Sequence, residues 1–267
     1  MVETRSKPAL VTLVAMKIAL LVMLGVSLFA ADPVEESLER WRQGTTVPLQ
    51  ATLHHVQGID IEGGILWVSS VDRATEKGYL SRFDLATGRL LKQIEVQEGK
   101  RYHPGGISLS GDSIWVPVAE YDRDGPATIQ RRNKTTLALE ASFSVNDHIG
   151  CVAVTPEGLI GGNWDSRILY RWRTDGTEIG HAANPQPTRY QDLKWSDGYL
   201  LGSGGLERGA GAVDWLDPVD YKLVRKIRAH QTDRGVPFTN EGMTLRNGSL
   251  YFLPEDDPSR LFVFRKQ

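Results

Sequence analysis

The sequence predicts an all-β fold: a five-bladed β-propeller closed by an N-terminal strand, with a short N-terminal helix. Three observations predict it. A short unit recurs five times, beginning His55-Val-Gln57-Gly-Ile, His103-Pro-Gly105-Gly-Ile, His148-Ile-Gly150-Cys-Val, Arg189-Tyr-Gln191-Asp-Leu and Thr239-Asn-Glu241-Gly-Met. The copies lie 48, 45, 41 and 50 residues apart, the length of one four-stranded propeller blade. Each copy then reaches a turn containing Gly, such as Glu62-Gly63-Gly64, Ser110-Gly111-Asp112 or Arg246-Asn247-Gly248. Such residues supply the positive φ angles of tight hairpins. Finally, the ends are complementary. The fifth copy stops after its third strand, and residues 47–53 form a spare strand that can close the ring and remove two exposed sheet edges.

The elements follow in order. Residues 17–30 are an apolar run behind a short basic flank. The run is shorter than the roughly 20 residues of a membrane span and ends in small residues. This is the form of a secretory signal peptide cleaved near Ala30 or Ala31. The expected protein is secreted or periplasmic, and meets a membrane only through an uncleaved signal segment. Residues 31–46 read as a short helix and linker: Asp32 as N-cap, Pro33 in the first turn, and Val34, Leu38 and Trp41 on one face. Residues 47–267 are the propeller. Second strands start at residues 65, 113, 159, 199 and 249, and third strands at 79, 127, 168, 212 and 261. Fourth strands are expected at 90–96, 139–145 and 223–227. Trp67, Trp115, Trp172 and Trp215 recur on these strands, as residues packed between blades do.

Composition narrows the function. Lys and Arg total 31 against 33 Asp and Glu, so there is no basic footprint for nucleic acid. The one cysteine, Cys151, lies in an apolar run and reads as a small buried hydrophobe. The expected molecule is a monomer acting on a small polar molecule or peptide.

In a closed ring, equivalent positions converge on the axis. His55, His103, His148, Arg189 and Thr239 then form one ring of side chains. Gln57, Gly105, Gly150, Gln191 and Glu241 lie two residues further on. Loops between second and third strands add an outer ring: Asp72 and Arg73, Glu120 and Tyr121, Trp164 and Asp165, Glu207 and Arg208, Glu255 and Asp256. Loops on one rigid face are where function is usually placed. Three readings stay open. Imidazoles and carboxylates can hold a divalent metal, although no local His-x-x-x-His motif supports it. Glu241 with His55, His103 and His148 can act as acid–base groups, with Gln57, Arg189, Gln191, Asp72, Glu120, Trp164, Asp165, Glu207 and Glu255 around the ligand. Or the polar groups merely fill a narrow channel with water. Arg189 argues against a metal on the axis and suits an anionic ligand carboxylate. No particular cofactor is implied.

The segments Val56-Gln-Gly-Ile-Asp, Leu66-Trp-Val-Ser-Ser, residues 79–90 and Phe238-Thr-Asn-Glu-Gly-Met-Thr-Leu resemble the glutaminyl-peptide cyclotransferases of plants and bacteria, which are five-bladed propellers. The chain is also similar to uncharacterised exported bacterial propellers. The cyclotransferase resemblance implies conversion of an N-terminal glutamine to pyroglutamate, with glutamates in Glu-Gly-Leu motifs of early repeats. This chain has Gln57-Gly58 and Gly105-Gly106 there, and Glu241-Gly242 keeps the acid. The function expected is therefore an exported propeller with a polar ligand or substrate pocket at its central channel, glutaminyl cyclotransferase-like in its enzymatic form. The alternative is a non-catalytic binding or scaffold propeller.

Overall fold

Hairpin turns fix the strand lengths. At the first one, Gly63 and Gly64 take φ of 56° and 78°, left-handed angles that cost glycine nothing. A computed structural model describes Met1 and residues 32–266; the expected signal segment lies outside the described residues. The strands form five sheets. Blade 1 comprises His55–Glu62, Ile65–Asp72, Lys77–Asp84 and Leu90–Glu95. Blade 2 has an interrupted inner strand, Arg101–Pro104 and Ser108–Ser110, then Ser113–Glu120, Ala127–Asn133 and Leu139–Val145. Blade 3 is Ile149–Thr155, Gly158–Asn163, Ile168–Trp172 and Glu178–Ala183. Blade 4 is Arg189–Ser196, Tyr199–Gly205, Gly211–Leu216 and Leu223–Ala229. Blade 5 contributes Glu241–Arg246, Ser249–Pro254 and Arg260–Lys266.

Five apolar clusters hold the ring, one at each seam between neighbouring blades. Trp67 and Leu80 of blade 1 meet Ile107 and Ile114 of blade 2. Trp115 and Trp172 share the next seam. Trp215 packs between blades 4 and 5 with Phe238, Phe252 and Phe264. The tryptophans thus have the packing role their strand positions suggested.

The N-terminal segment corrects one expectation. Residues 32–43 are not an α-helix. Val34–Ser37 is a strand, Leu38–Arg40 a single 3-10 turn and Trp41–Gln43 a second strand. The first strand adds to blade 4 in parallel to Leu223–Ala229. The second runs antiparallel to Arg260–Lys266 and supplies the outer edge of blade 5, joined there by Val47–Pro48. Ser37, not Asp32, caps the turn by accepting the Glu39 N–H at 3.2 Å. Helical spacing of Val34, Leu38 and Trp41 was a weak local preference, because an isolated helix of this length is marginal in water. Two unpaired sheet edges offered its backbone a full set of hydrogen bonds instead. The segment therefore belongs to the propeller rather than to a linker, and the closing edge begins earlier than residue 47.

Leu38 shows what this docking contributes. It is fully buried between blades 4 and 5. Leu38→Ala is expected to cost about 2–5 kcal/mol in a urea titration. A loss within about 0.5 kcal/mol, the range of an exposed position, would show that the segment does not pack.

The inner strands approach closely at the residue three beyond the recurring histidine. A Cβ on Gly58 would lie 2.5 Å from the Gly106 Cα, and one on Gly106 would lie 2.5 Å from Asp192 Oδ1. Asp192 occupies the same register in blade 4, and Gly106 makes room for its carboxylate. Oδ2 accepts the Ile59 N–H and the Met243 N–H, each at 3.1 Å. Lys194 pairs with Oδ1. One carboxylate thereby ties blade 4 to blades 1 and 5 at the axis.

Candidate functional site

Beta-bulges open the mouth of the channel. The ladder slips by one residue between Val56 and Gly58, between Ile149 and Cys151, and between Tyr190 and Asp192. Gln57, Gly150 and Gln191 are the extra residues, at one common position of the repeat. Bulges commonly redirect a side chain beside an active site. In blade 5 the same position is Glu241, whose φ is 103°. A non-glycine residue held at such an angle costs about 1–3 kcal/mol and tends to mark functional sites.

These residues enclose a cavity of about 150 Å³. His55, His103, His148, Gln57, Gln191, Glu241, Trp164 and Asp165 line it, with Arg73, Tyr121, Asn163, Gly150 and Tyr190. The three histidines are thus brought to one place. His103 and His148 lie 5.1 Å apart between ring centroids, and Trp164 sits 4.7 Å from His148. Tyr121 lies tilted against His103, 4.3 Å between ring centroids. His55 Nδ1 stands 2.8 Å from Glu255 Oε1, at the rim. This is an ion-pair contact that misses hydrogen-bond alignment.

Five expected ligand-facing residues are missing from the cavity wall: Glu255 stands at the rim against His55, and the other four turn away. Arg189 is exposed and leaves the wall to Tyr190 and Gln191. A guanidinium with no carboxylate to meet it stays hydrated, because burying an unpaired charge is costly. Asp72 turns back on its own loop, accepting from the Ala74 N–H at 3.0 Å and the Thr75 hydroxyl at 2.6 Å. Glu120 ends its strand outside the cavity, and its neighbour Tyr121 faces inward. Glu207 is exposed on the 3-10 turn Glu207–Gly209. The fifth ring residue, Thr239, donates its hydroxyl to the Gly204 carbonyl at 2.9 Å. Sequence reasoning missed Asn163 and Tyr190 altogether and gave Arg73 and Tyr121 no role. Asn163 ends the Gly-Gly-Asn strand of blade 3 and is fixed by Asp147 at 2.9 Å.

Burial and pairing set the protonation states. Burial pushes the Glu241 carboxyl up to about 8, with Glu255 and Asp192 adding to the effect and His55 opposing it. Burial drives His103 well below its ordinary value, with the neighbouring His148 and His55 contributing. Burial also lowers His148, against backbone contacts that raise it. His55 is also penalised by burial, but its Glu255 contact and the charge of Glu241 outweigh that and raise it. Its contact to His55 lowers Glu255 in turn. Near neutral pH the Glu241 carboxyl thus keeps its proton, burial favours the neutral forms of His103 and His148, and the Glu255 contact favours the charged form of His55.

The tautomers follow from partners. His148 Nδ1–H donates to the Asp122 carbonyl at 2.8 Å, leaving Nε2 as an acceptor. His103 Nε2–H donates to Gln57 Oε1 at 3.0 Å. That leaves His103 Nδ1 and Gln57 Nε2 buried without partners among the described residues. Glu241 makes no side-chain hydrogen bond among them either. Cys151 is buried with its thiol pushed up to about 12, so it is inert. His55, Glu241 and Glu255 offer one ligand atom each within 4.8 Å of one another, a spacing a divalent cation can span. A cation there would share the pocket with the Arg73 guanidinium, whose charge opposes it.

Fold and site together define a class: a five-bladed β-propeller with a buried, titratable pocket at one mouth of its channel. The chain belongs to a family of unknown function (DUF6454), whose family model matches residues 32–191. Among solved structures it is similar to the glutaminyl cyclase of Myxococcus xanthus, with 15% identity and a TM-score of 0.65 over 88% of this chain and 98% of that one. The expected resemblance to propeller cyclases therefore holds at the level of fold. The chain is also similar to the Pan2 WD40 domain of Neurospora crassa, with 14% identity and a TM-score of 0.49 over 83% of this chain and 64% of that one. No curated protein matches the sequence.

Proposed function

We propose that the pocket is the substrate site of an exported enzyme that performs acid–base acyl transfer on a small amine- and amide-bearing molecule, as a glutaminyl cyclotransferase does. The observation that carries this reading is Glu241: a buried carboxyl, protonated at neutral pH, without a side-chain hydrogen bond among the described residues, on a strained backbone. General acids work best with a pKa near the operating pH. Export rests on the apolar run at residues 17–30.

The roles follow from the protonation states. The substrate amine, after its ammonium form has lost one proton to solvent, attacks its own side-chain amide carbon. The new N–C bond closes the ring, and the amide C–N bond breaks to release ammonia. Neutral His148 takes the amine proton at Nε2. Glu241 gives its proton to the leaving nitrogen. Gln57 Nε2 and the unprotonated His103 Nδ1 match the carbonyl and N–H of a carboxamide, one as donor and one as acceptor. The fixed donor and acceptor hold it where the attack can occur.

The test is direct. Purified protein, incubated with glutamine and with glutaminyl peptides, is expected to yield a product lighter by the mass of ammonia. If these probes bind but lose no ammonia, the pocket is a binding module, and the catalytic reading falls.

A further inference from the structure

The pocket carries one cation and one anion that the protein itself leaves unpaired. Arg73 comes from the turn after the second strand of blade 1, and its guanidinium lies 4.4 Å from the Tyr121 ring centroid. It makes no ion pair or hydrogen bond among the described residues. Stacking on an aromatic face holds the guanidinium plane while its N–H groups stay available. The Asp72 turn described above holds the backbone from which it projects. Asp165, across two blades, also lines the cavity and has no ion pair or hydrogen bond among the described residues. By contrast, Glu255 is already engaged with His55.

We infer that Arg73 and Asp165 are the anchors of a free amino-acid zwitterion, Arg73 for the carboxylate and Asp165 for the ammonium. The cavity of about 150 Å³ is well below the roughly 300–1,000 Å³ of sites for drug-sized ligands. A single amino-acid residue fits that scale, and the unpaired Arg73 guanidinium is what favours a free carboxylate over the amide of a peptide chain. The role that sequence assigned to Arg189 passes to Arg73. This deepens the reading above by naming the substrate class: a free α-amino acid with a side-chain carboxamide, rather than the N-terminus of a protein. It rests on that reading for the pocket but not for turnover.

The experiment measures binding alone. Wild-type protein, Arg73→Gln and Asp165→Asn are screened against the standard L-amino acids by thermal shift. Calorimetry then compares L-glutamine, L-glutaminamide and N-acetyl-L-glutamine. Charge-assisted pairs of this kind are worth about tenfold or more in affinity. Glutaminamide and N-acetylglutamine are therefore expected to bind wild type at least about tenfold more weakly than glutamine. Arg73→Gln is expected to weaken glutamine by the same factor and leave glutaminamide unchanged. Asp165→Asn is expected to weaken glutamine and leave N-acetylglutamine unchanged. Equal binding of glutamine and glutaminamide by wild type would overturn the inference, as would no thermal shift with any free amino acid. Arg73-dependent binding of glutamine without ammonia release would overturn only the catalytic reading. Cyclisation of an amidated glutaminyl peptide as efficient as that of free glutamine would overturn only the zwitterion anchors.

Discussion

Glu241→Gln is expected to lower kcat/KM for ammonia release by about 10²–10⁴-fold, the usual contribution of a positioned general acid. Gln keeps the shape but cannot give up a proton. The wild-type rate is expected to rise with pH through the lowered value of His148, which must be neutral to accept a proton. It should then fall above about 8, where Glu241 loses its proton. The variant loses this alkaline limb along with the rate.

A second readout does not depend on knowing the substrate. The folded carboxyl holds its proton up to about 8, whereas the ordinary value is 4.5. The folded state therefore binds that proton more tightly than the unfolded state. Below pH 4.5 both states are protonated and Glu241 contributes no penalty. Between pH 4.5 and 8 the unfolded chain ionises first, so stability falls by up to about 1.4 kcal/mol per pH unit. The penalty is complete above 8. Urea titrations of wild type and Glu241→Gln are expected to coincide near pH 4 and to diverge progressively, the variant being the more stable. Parallel curves would show that the carboxylate has compensation in the folded state, and Glu241 would not be a general acid.

The axis of this site was legible because a propeller converts sequence period into spatial convergence. His55, His103 and His148 share a register, and the register alone brings them together. Glu241 was legible for the same reason, as the acid at the second ring position. What register could not supply was direction. Arg189 and His55 are equivalent by count, yet Arg189 leaves the pocket, since side-chain length and the need for hydration decide where its charge ends. Arg73 and Tyr121 sit on loops, where no period of two or 3.6 tells which way a side chain points. Asp72 and Glu120, their neighbours, had the more expected chemistry and the wrong orientation. The N-terminal segment failed differently. Val34, Leu38 and Trp41 fit a helical face, and only the unfinished edges of blades 4 and 5 made strands the better partners. That information lies more than 180 residues away in the chain.

Asp192→Ala is expected to destabilise the protein by about 3–5 kcal/mol, the loss when one partner of a buried ion pair is removed. The carboxylate is fully buried, and burial pushes it up to about 7, while Lys194 and the Ile59 and Met243 amides pull it down. Removing it leaves the Lys194 ammonium, 3% exposed, without its partner. Two inner-strand N–H groups also lose their acceptor, each an added penalty because an unpaired buried donor retains its full desolvation cost. The ring feels this as a whole, since Asp192 is where blades 1, 4 and 5 meet. Asp192→Asn separates the contributions. The amide keeps one acceptor for the two N–H groups but no charge for Lys194, so its loss should fall between wild type and the alanine variant. Adding Lys194→Met to Asp192→Ala removes the stranded ammonium and should restore part of the stability. If the double variant were no more stable than Asp192→Ala in urea titration, the ion pair would not be the source of the loss. The clamp would then act through the backbone amides of Ile59 and Met243 alone.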